Sequence, residues 1–195
     1  CGLSWESAFL ITQHLLLRYY NDVALIRELY PLDLKWMDKV AKIHPHGLVE
    51  SGLADHEALQ PSPVQLTGTL HYLQCARIMT VFARLMNDRP NTRKFQKLAE
   101  HLQTAVQQRF CTQPVDSSVN QQGLYASLLY HQVLPRPDRR AAANALRRAM
   151  AQGPEGHFTT GIFTTKYILE AASENGLAQN VFNIVQSKAF PGWGH

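Results

Sequence analysis

Asp55, His56 and Glu57 are consecutive in this chain of 195 residues. They place two carboxylates and an imidazole together, and proteins use these groups most often to transfer protons and to bind polar ligands. Gly52 precedes them and the turn-forming Pro61 follows them. The segment is therefore predicted to be a polar loop whose side chains form a site that rigid neighbouring elements hold in place.

Other site chemistries find little support in the sequence. His44 and His46, taken together with Asp55 and His56, have a spacing that matches no closed zinc site. No glycine-rich phosphate loop, Ser–His–Asp order or nucleophilic cysteine context occurs. The three cysteines form no disulfide framework, and Cys75 lies in an apolar helix pattern that predicts a buried thiol. We therefore predict no metal and no cofactor.

Charge and hydropathy exclude two classes of partner. The net charge is +4, and basic pairs at positions 93–94, 139–140 and 147–148 lie on separate predicted helices without interleaved aromatic residues. Nucleic-acid binding usually requires a concentrated basic stripe, so no nucleic-acid partner is predicted. No run of about 18 apolar residues exists, so no membrane span is predicted. The first residues lack the features of a signal peptide, and the thiols do not fix the compartment.

Apolar residues at helical spacing predict helices along the whole chain. The predicted helices cover residues 5–19, 25–29, 31–44, 66–85, 95–110, 121–133, 139–150, 160–174 and 177–187. Ser4 is the predicted N-cap of the first helix, Pro31 a first-turn residue of the third, and Asp138 the cap of the seventh. No alternating strand pattern occurs, so the fold class is predicted to be all-α.

Short loops between these helices predict antiparallel hairpins. A solenoid of hairpins would show a sequence repeat of fixed period. The hairpins here share neither length nor signature, which favours a closed ring. Residues 1–195 are predicted to form a single domain.

Five segments, taken in order, carry a resemblance to a known family. They are residues 4–8 (SWESA), 18–38 (RYYND, LYP and KWMD), 52–57 (GLADHE), 157–163 (HFTTGIF) and 190–194 (FPGWG). At this spacing they resemble the catalytic domain of the α-L-rhamnosidase family of glycoside hydrolases. The resemblance covers essentially the whole chain and implies that it is the central part of an (α/α)6 barrel.

The resemblance also implies an activity, and it identifies two catalytic motifs of the family that this chain lacks. Members remove terminal α-L-rhamnose from glycans or glycosides by an inverting mechanism that uses two carboxylates. The family motifs that carry the general acid and the base do not occur in this chain. The chain is therefore expected to be a fragment that is inactive alone, with flanking segments of the parent protein supplying both groups. A rhamnose-containing carbohydrate is the implied substrate, and a periplasmic or extracellular location is favoured.

The implied site residues are Trp5, Asp55, His56, Glu57 and Trp193. Trp5 and Trp193 would line the sugar pocket, although packing in the core or the turn is the alternative for each. Asp55 would bind sugar hydroxyls or support the catalytic pair, or it would cap a helix. His56 stands where many members have tryptophan and would contact the sugar. Glu57 would support the residues that contact the sugar, or it would lie on the surface as a solvated acid. The side chains at positions 5, 55 and 56 are predicted to converge.

Two other functions stay open on the sequence. One is a different (α/α)6 carbohydrate-active enzyme, such as an unsaturated uronyl hydrolase or a trimming glucosidase. The other is a helical scaffold that binds a protein partner through a concave face. A cleft that joins aromatic residues and carboxylates would favour the glycosidases, and a continuous groove without converging acids would favour the scaffold.

Overall fold

The structure is a computed structural model that describes residues 2–111, 118–152, 156–193 and 195. Cys1, the predicted turn residues 153–155 and Gly194 lie outside these ranges. The helices within them are α1 Leu3–Glu6, α2 Ala8–Tyr20, α3 Val23–Ile43, α4 Val64–Leu85, α5 Arg89–Phe110, α6 Gln121–Tyr130, α7 Arg136–Gln152, α8 Ile162–Glu174 and α9 Ala178–Val185. The described residues contain no strand, which confirms the all-α prediction. In these same residues, every helix is too short or too polar to cross a bilayer.

The helices group into two compact units. The first consists of Cys1–Leu53 and Val64–Arg109, and the second consists of Ala54–Pro63 and Phe110–His195. The polar loop therefore belongs with the C-terminal helices, although it precedes α4 in the sequence. That residues 1–195 form a single domain, and a fragment of a larger one, stays a prediction.

α3 is one continuous helix that contains Pro31 in its interior. The prediction of two helices that meet at Pro31 is therefore wrong. Proline removes a backbone donor and crowds the preceding turn, but Pro31 lies on the exposed side of α3. One buried face runs through this point and consists of Ile26, Tyr30, Asp33, Met37 and Val40. Burial of that face outweighs the local cost of the proline.

The first predicted helix is divided in the structure, because α1 ends at Glu6 and α2 begins at Ala8. Ser4 lies inside α1, and Gly2 occupies the N-cap position. The hydroxyl of Ser4 donates to the Leu53 carbonyl at 3.2 Å. The prediction of Ser4 as an N-cap is therefore wrong, because its side chain bonds to a distant segment.

The ends of α6 and α7 also differ from the prediction. α6 ends at Tyr130, because His131 closes it and Gln132 has a positive φ of 50°. α7 begins at Arg136, so Asp138 lies in the first turn and not at the cap position predicted for it. An acidic side chain in the first turn still interacts favourably with the helix dipole.

Helices buried on most sides alternate with helices buried on one face. α4 buries 15 of its 22 residues, whereas α5 buries 4 of 22. α6 buries 7 of its 10 residues, whereas α7 buries 4 of 17. A helix that is buried all round is enclosed by protein, and one with a single apolar stripe faces solvent. Each of these pairs therefore has one enclosed and one solvent-facing helix, as expected for the hairpins of a helical barrel.

α6 and α8 begin side by side in the second unit. α6 packs against both α7 and α8. A Cβ on Gly123, near the start of α6, would lie 3.3 Å from Oγ1 of Thr164, near the start of α8. The N-terminal ends of the two helices therefore meet, and the polar loop lies against them.

Candidate functional site

Asp55 anchors the loop Ala54–Pro63, which we call the clamp loop. Asp55 is only 5% exposed. Its Oδ1 accepts from the backbone N–H groups of Phe163 at 3.0 Å and Thr164 at 3.2 Å. Its Oδ2 accepts from the N–H of Gly161 at 2.6 Å and from the hydroxyl of Thr164. Asp55 therefore caps the N-terminus of α8, for which the cap residue Gly161 has no side chain.

These four donors fill the Asp55 carboxylate, which offers about four lone-pair sites. A negative charge at a helix N-terminus is also favoured by the helix dipole. Of the interpretations that the sequence left open for Asp55, the contacts favour the helix cap. Sugar contact at this position stays a prediction.

His56 and Glu57 follow on a fixed backbone. The His56 carbonyl accepts from the Ile162 N–H at 2.9 Å, so the loop is joined to α8 through the backbone of His56 as well as through the Asp55 side chain. The imidazole of His56 is half-exposed, and its Nε2 lies 3.4 Å from Oε1 of Glu57. Glu57 has a φ of 61°, and its side chain is 75% exposed. The clamp loop therefore presents an imidazole and a carboxylate to solvent.

Asn120 and Gln122 fix the clamp loop from the start of α6. Nδ2 of Asn120 donates to the carbonyls of Gln60 at 3.1 Å and Thr159 at 2.7 Å. Gln122 donates to the His157 carbonyl at 3.1 Å and accepts from the Thr159 N–H at 3.1 Å. Buried hydrogen bonds therefore join the clamp loop, the start of α6 and the segment that leads into α8.

Gly161 allows the clamp loop to approach α8 closely. A Cβ at this position would lie 2.0 Å from the carbonyl oxygen of His56 and 2.9 Å from the backbone nitrogen of Ala58. Backbone atoms cannot move aside unless the loop itself shifts. The φ of Gly161 is −95°, which other residues adopt, so the close approach is the reason for glycine here.

Tyr167 on α8 has a buried phenol that interacts electrostatically with the Asp55 carboxylate. Burial raises the pKa of Tyr167 far above its ordinary value, and Tyr130 and the Asp55 carboxylate add to the effect. The rings of Tyr167 and Tyr130 stack with their centroids 4.2 Å apart. Burial and the neighbouring groups therefore favour the neutral, protonated phenol of Tyr167.

Trp5 lies on α1 and is 38% exposed. The neighbouring Ser4 binds the carbonyl of Leu53 at 3.2 Å, so α1 is attached to the residue that directly precedes the clamp loop. The convergence of Trp5 with Asp55 and His56 stays a prediction.

Trp193 lies in the turn of residues 190–193, which we call the aromatic turn. Its side chain is mostly exposed, and its ring lies 5.4 Å from that of Phe158. A Cβ on Gly192 would lie 3.3 Å from Cε1 of His157, so the turn covers this imidazole. His157 is 2% exposed, and neither ring nitrogen has a hydrogen-bond partner among the described residues. The aromatic turn therefore covers a buried polar side chain whose ring nitrogens have no partner in the described ranges.

The residues considered for metal and thiol chemistry take ordinary structural roles. His44 ends α3, and the carbonyl of His46 lies 3.4 Å from Nε2 of His101. Within the described ranges, no group of three or more His, Cys, Asp or Glu side chains is placed to hold a metal ion. Cys75 is a buried free thiol, as predicted, and burial raises its pKa.

Sequence reasoning missed Asn120, Gln122 and Thr164. The position of Asn120 directly before a helical pattern is a recognisable N-cap signal. Gln122 and Thr164 carry no such signal, because their partners are distant in the sequence. The sequence therefore pointed to only one member of this hydrogen-bond arrangement, Asp55.

Two curated relatives are similar to this chain at low identity. An α-L-rhamnosidase of Formosa agariphila is 22% identical over 189 residues, which covers 89% of this chain and 20% of the relative. An α-L-rhamnosidase of Streptomyces avermitilis is 22% identical over 196 residues, which covers 98% of this chain and 18% of the relative. The chain spans about a fifth of the length of these relatives.

Solved structures of α-L-rhamnosidases share the fold. The enzyme from Dictyoglumus thermophilum superposes with a TM-score of 0.88 at 22% identity, covering 97% of this chain and 22% of that chain. The Streptomyces avermitilis enzyme, solved with L-rhamnose, gives a TM-score of 0.80 at 20% identity, covering 92% of this chain and 17% of that chain. These likenesses confirm the predicted fold class, antiparallel helical hairpins that form part of an (α/α)6 barrel. The bacterial α-L-rhamnosidase six-hairpin glycosidase domain matches residues 2–195. The chain belongs to this family, as its resemblance implied.

Proposed function

We propose that this chain forms the central part of an α-L-rhamnosidase catalytic domain, which removes terminal α-L-rhamnose from glycans or glycosides. One observation carries the proposal. The family-like segments 52–57 and 157–163 are bound to each other through Asp55 and the start of α8. The aromatic turn lies against the second of these segments. Segments far apart in the sequence are therefore held together, which supports a shared site built from them.

The proposed reaction inverts the anomeric centre with two carboxylates roughly 6.5–9.5 Å apart, one as acid and one as base. We place both of these carboxylates in flanking segments of the parent protein. The chain's own contribution is then to bind and orient the sugar. His56 and Glu57 exchange hydrogen bonds with hydroxyl groups, and Trp193 offers an apolar ring face to the pyranose.

The test is a titration of the 195-residue chain with L-rhamnose, followed by NMR of the His56 imidazole and the Trp193 indole. L-Fucose serves as the control, because it is also a 6-deoxyhexose and differs only in configuration. We expect both sets of signals to shift with L-rhamnose and not with L-fucose. No shift at millimolar L-rhamnose, or an equal shift with L-fucose, would contradict the proposal.

A second measurement addresses the location of the acid and the base. The purified chain should not release the aryl group from an aryl α-L-rhamnoside. Reproducible turnover by the chain alone, abolished by a Glu57→Gln substitution, would place a reacting carboxylate inside these 195 residues.

A further inference from the structure

The carboxylate of Asp55 is directed at α8 and not at open space. Its four hydrogen bonds from described residues come from Gly161, Phe163 and Thr164, which lie 106 to 109 residues later in the sequence. The adjoining His56 carbonyl receives the next backbone donor, Ile162. A single loop therefore satisfies the first donors of α8, and α8 in turn fixes the loop.

We infer that Asp55 is a positioning residue, which places the His56 and Glu57 side chains at the sugar pocket by capping α8 and does not itself touch the sugar. This inference rests on the proposed function. The carboxylate has no acceptor site left for a sugar hydroxyl, and Asp55 is 5% exposed. Any turn of the side chain toward a ligand would leave buried backbone donors unpaired.

The side chain at position 56 then determines what the loop contacts. His56 has a half-exposed imidazole on a backbone that is fixed at its carbonyl. Small displacements of a binding or reacting group reduce rates and affinities by large factors. Position 55 therefore sets where the contact is made, and position 56 sets its chemistry.

Asp22 offers a matched control within the same chain. Its carboxylate also caps a helix, because Oδ1 accepts from the Leu25 N–H at 3.0 Å, only three residues away. Loss of either carboxylate removes a helix cap. Only the loss of Asp55 also releases a loop.

The experiment compares Asp55→Ala, Asp55→Asn and Asp22→Ala in the 195-residue chain, at a temperature where the variants stay folded. In Asp55→Ala we expect faster hydrogen exchange at the amides of Gly161, Phe163 and Thr164, together with shifted imidazole signals of His56. Asp55→Asn keeps one acceptor oxygen and should give intermediate changes. Asp22→Ala should change neither readout. The L-rhamnose affinity should fall about tenfold or more in Asp55→Ala and stay unchanged in Asp22→Ala.

Two outcomes would overturn the inference. One is an unchanged His56 spectrum in Asp55→Ala, or in Asp55→Asn if the alanine variant does not fold. The other is a loss of sugar affinity in Asp55→Asn while His56 and the α8 amides are unchanged, because Asp55 would then bind the sugar directly. If the unsubstituted chain does not respond to L-rhamnose but His56 is displaced in Asp55→Ala, the proposed function fails and the positioning of His56 by Asp55 stands.

Discussion

Asp55 and Asp33 are both buried aspartates, but their surroundings are opposite. Asp55 receives four hydrogen bonds at the start of α8. Asp33, on α3 and 0% exposed, receives one, from Nε2 of Gln13 at 3.0 Å. Its other oxygen and Oε1 of Gln13 have no partner in the described part of the chain. Burial raises the pKa of Asp33, against the opposing effect of the Gln13 hydrogen bond.

The difference shows what a buried acid can do for a fold. A carboxylate that is taken out of water loses its hydrogen bonds to water, and donors from the protein must replace them. The donors around Asp55 are the unsatisfied N–H groups of a helix end, so carboxylate and helix satisfy each other. Asp33 lies in the middle of a helix, where backbone donors are already used. Burial alone therefore does not distinguish a stabilising acid from a costly one.

The largest effect is expected from a substitution that displaces the clamp loop but leaves the Asp55 carboxylate unchanged. Gly161→Ala should lower the free energy of unfolding by about 3–4 kcal/mol, because its Cβ would meet the backbone of the clamp loop. Urea denaturation measures the change. The control is Gly176→Ala, whose Cβ meets nothing within 4 Å and which should cost about 1–2 kcal/mol for its positive φ. An equal or smaller loss at Gly161 would show that the clamp loop is not held closely to α8.

Removal of the carboxylate itself comes next. Asp55→Ala should lower the free energy of unfolding by about 2–3 kcal/mol, because it leaves several buried donors unpaired. Asp22→Ala should lower it by about 1 kcal/mol, the usual effect of losing a local cap. If the two variants lost similar amounts of stability, Asp55 would act as a local helix cap like Asp22 and would not hold the clamp loop against α8.

A substitution at Asp33 is expected to raise the free energy of unfolding, whereas those at Gly161 and Asp55 lower it. Asp33→Asn should raise the free energy of unfolding at pH 7 by about 1 kcal/mol, because the amide carries no charge and supplies a donor near Gln13 Oε1. Chemical denaturation at neutral pH measures the gain. A loss of stability would mean that the ionised Asp33 is well solvated in the folded chain.

The pH dependence of that gain follows from the direction of the pKa shift. The folded-state pKa of Asp33 lies above its unfolded value of about 3.9, so the folded state binds the proton more tightly. This contribution to stability is fully present below the unfolded pKa and is lost as the pH rises through the folded pKa. The advantage of Asp33→Asn should therefore be smallest near about pH 4 and grow toward neutral pH. A constant difference across this range would contradict the raised pKa.

The smallest effect is expected at His157, a third buried polar group. Its ring nitrogens, like Oδ2 of Asp33, have no hydrogen-bond partner among the described residues. His157→Leu should change the free energy of unfolding by no more than about 1 kcal/mol, toward greater stability, because no described hydrogen bond of the ring is lost. Thermal unfolding followed by circular dichroism measures it. A clear loss of stability would show that the ring nitrogens bind ordered water in solution.

The sequence predicted the elements that depend on local patterns. α4 lies close to its predicted range, because apolar spacing and a following break define it, whereas α5 begins at Arg89, six residues before its predicted start. The predictions at Pro31 and Ser4 failed because tertiary contacts outweighed the local signals. At Pro31 this contact is the burial of one face of α3, and at Ser4 it is the hydrogen bond to the Leu53 carbonyl. Asp55 was recognised as important through its motif, but its partner could not be identified. No local pattern connects a loop residue with a helix that begins more than a hundred positions later.

The distance in sequence between Asp55 and α8 also affects how the chain acquires its shape during translation. A ribosome adds about 5–20 residues per second, and Gly161 follows Asp55 by 106 residues. The loop therefore waits about 5–20 s for the helix that will hold it. During that interval, α4 to α7 can form while His56 has no fixed place. A nascent chain that stops before Gly161 carries the loop side chains but cannot place them.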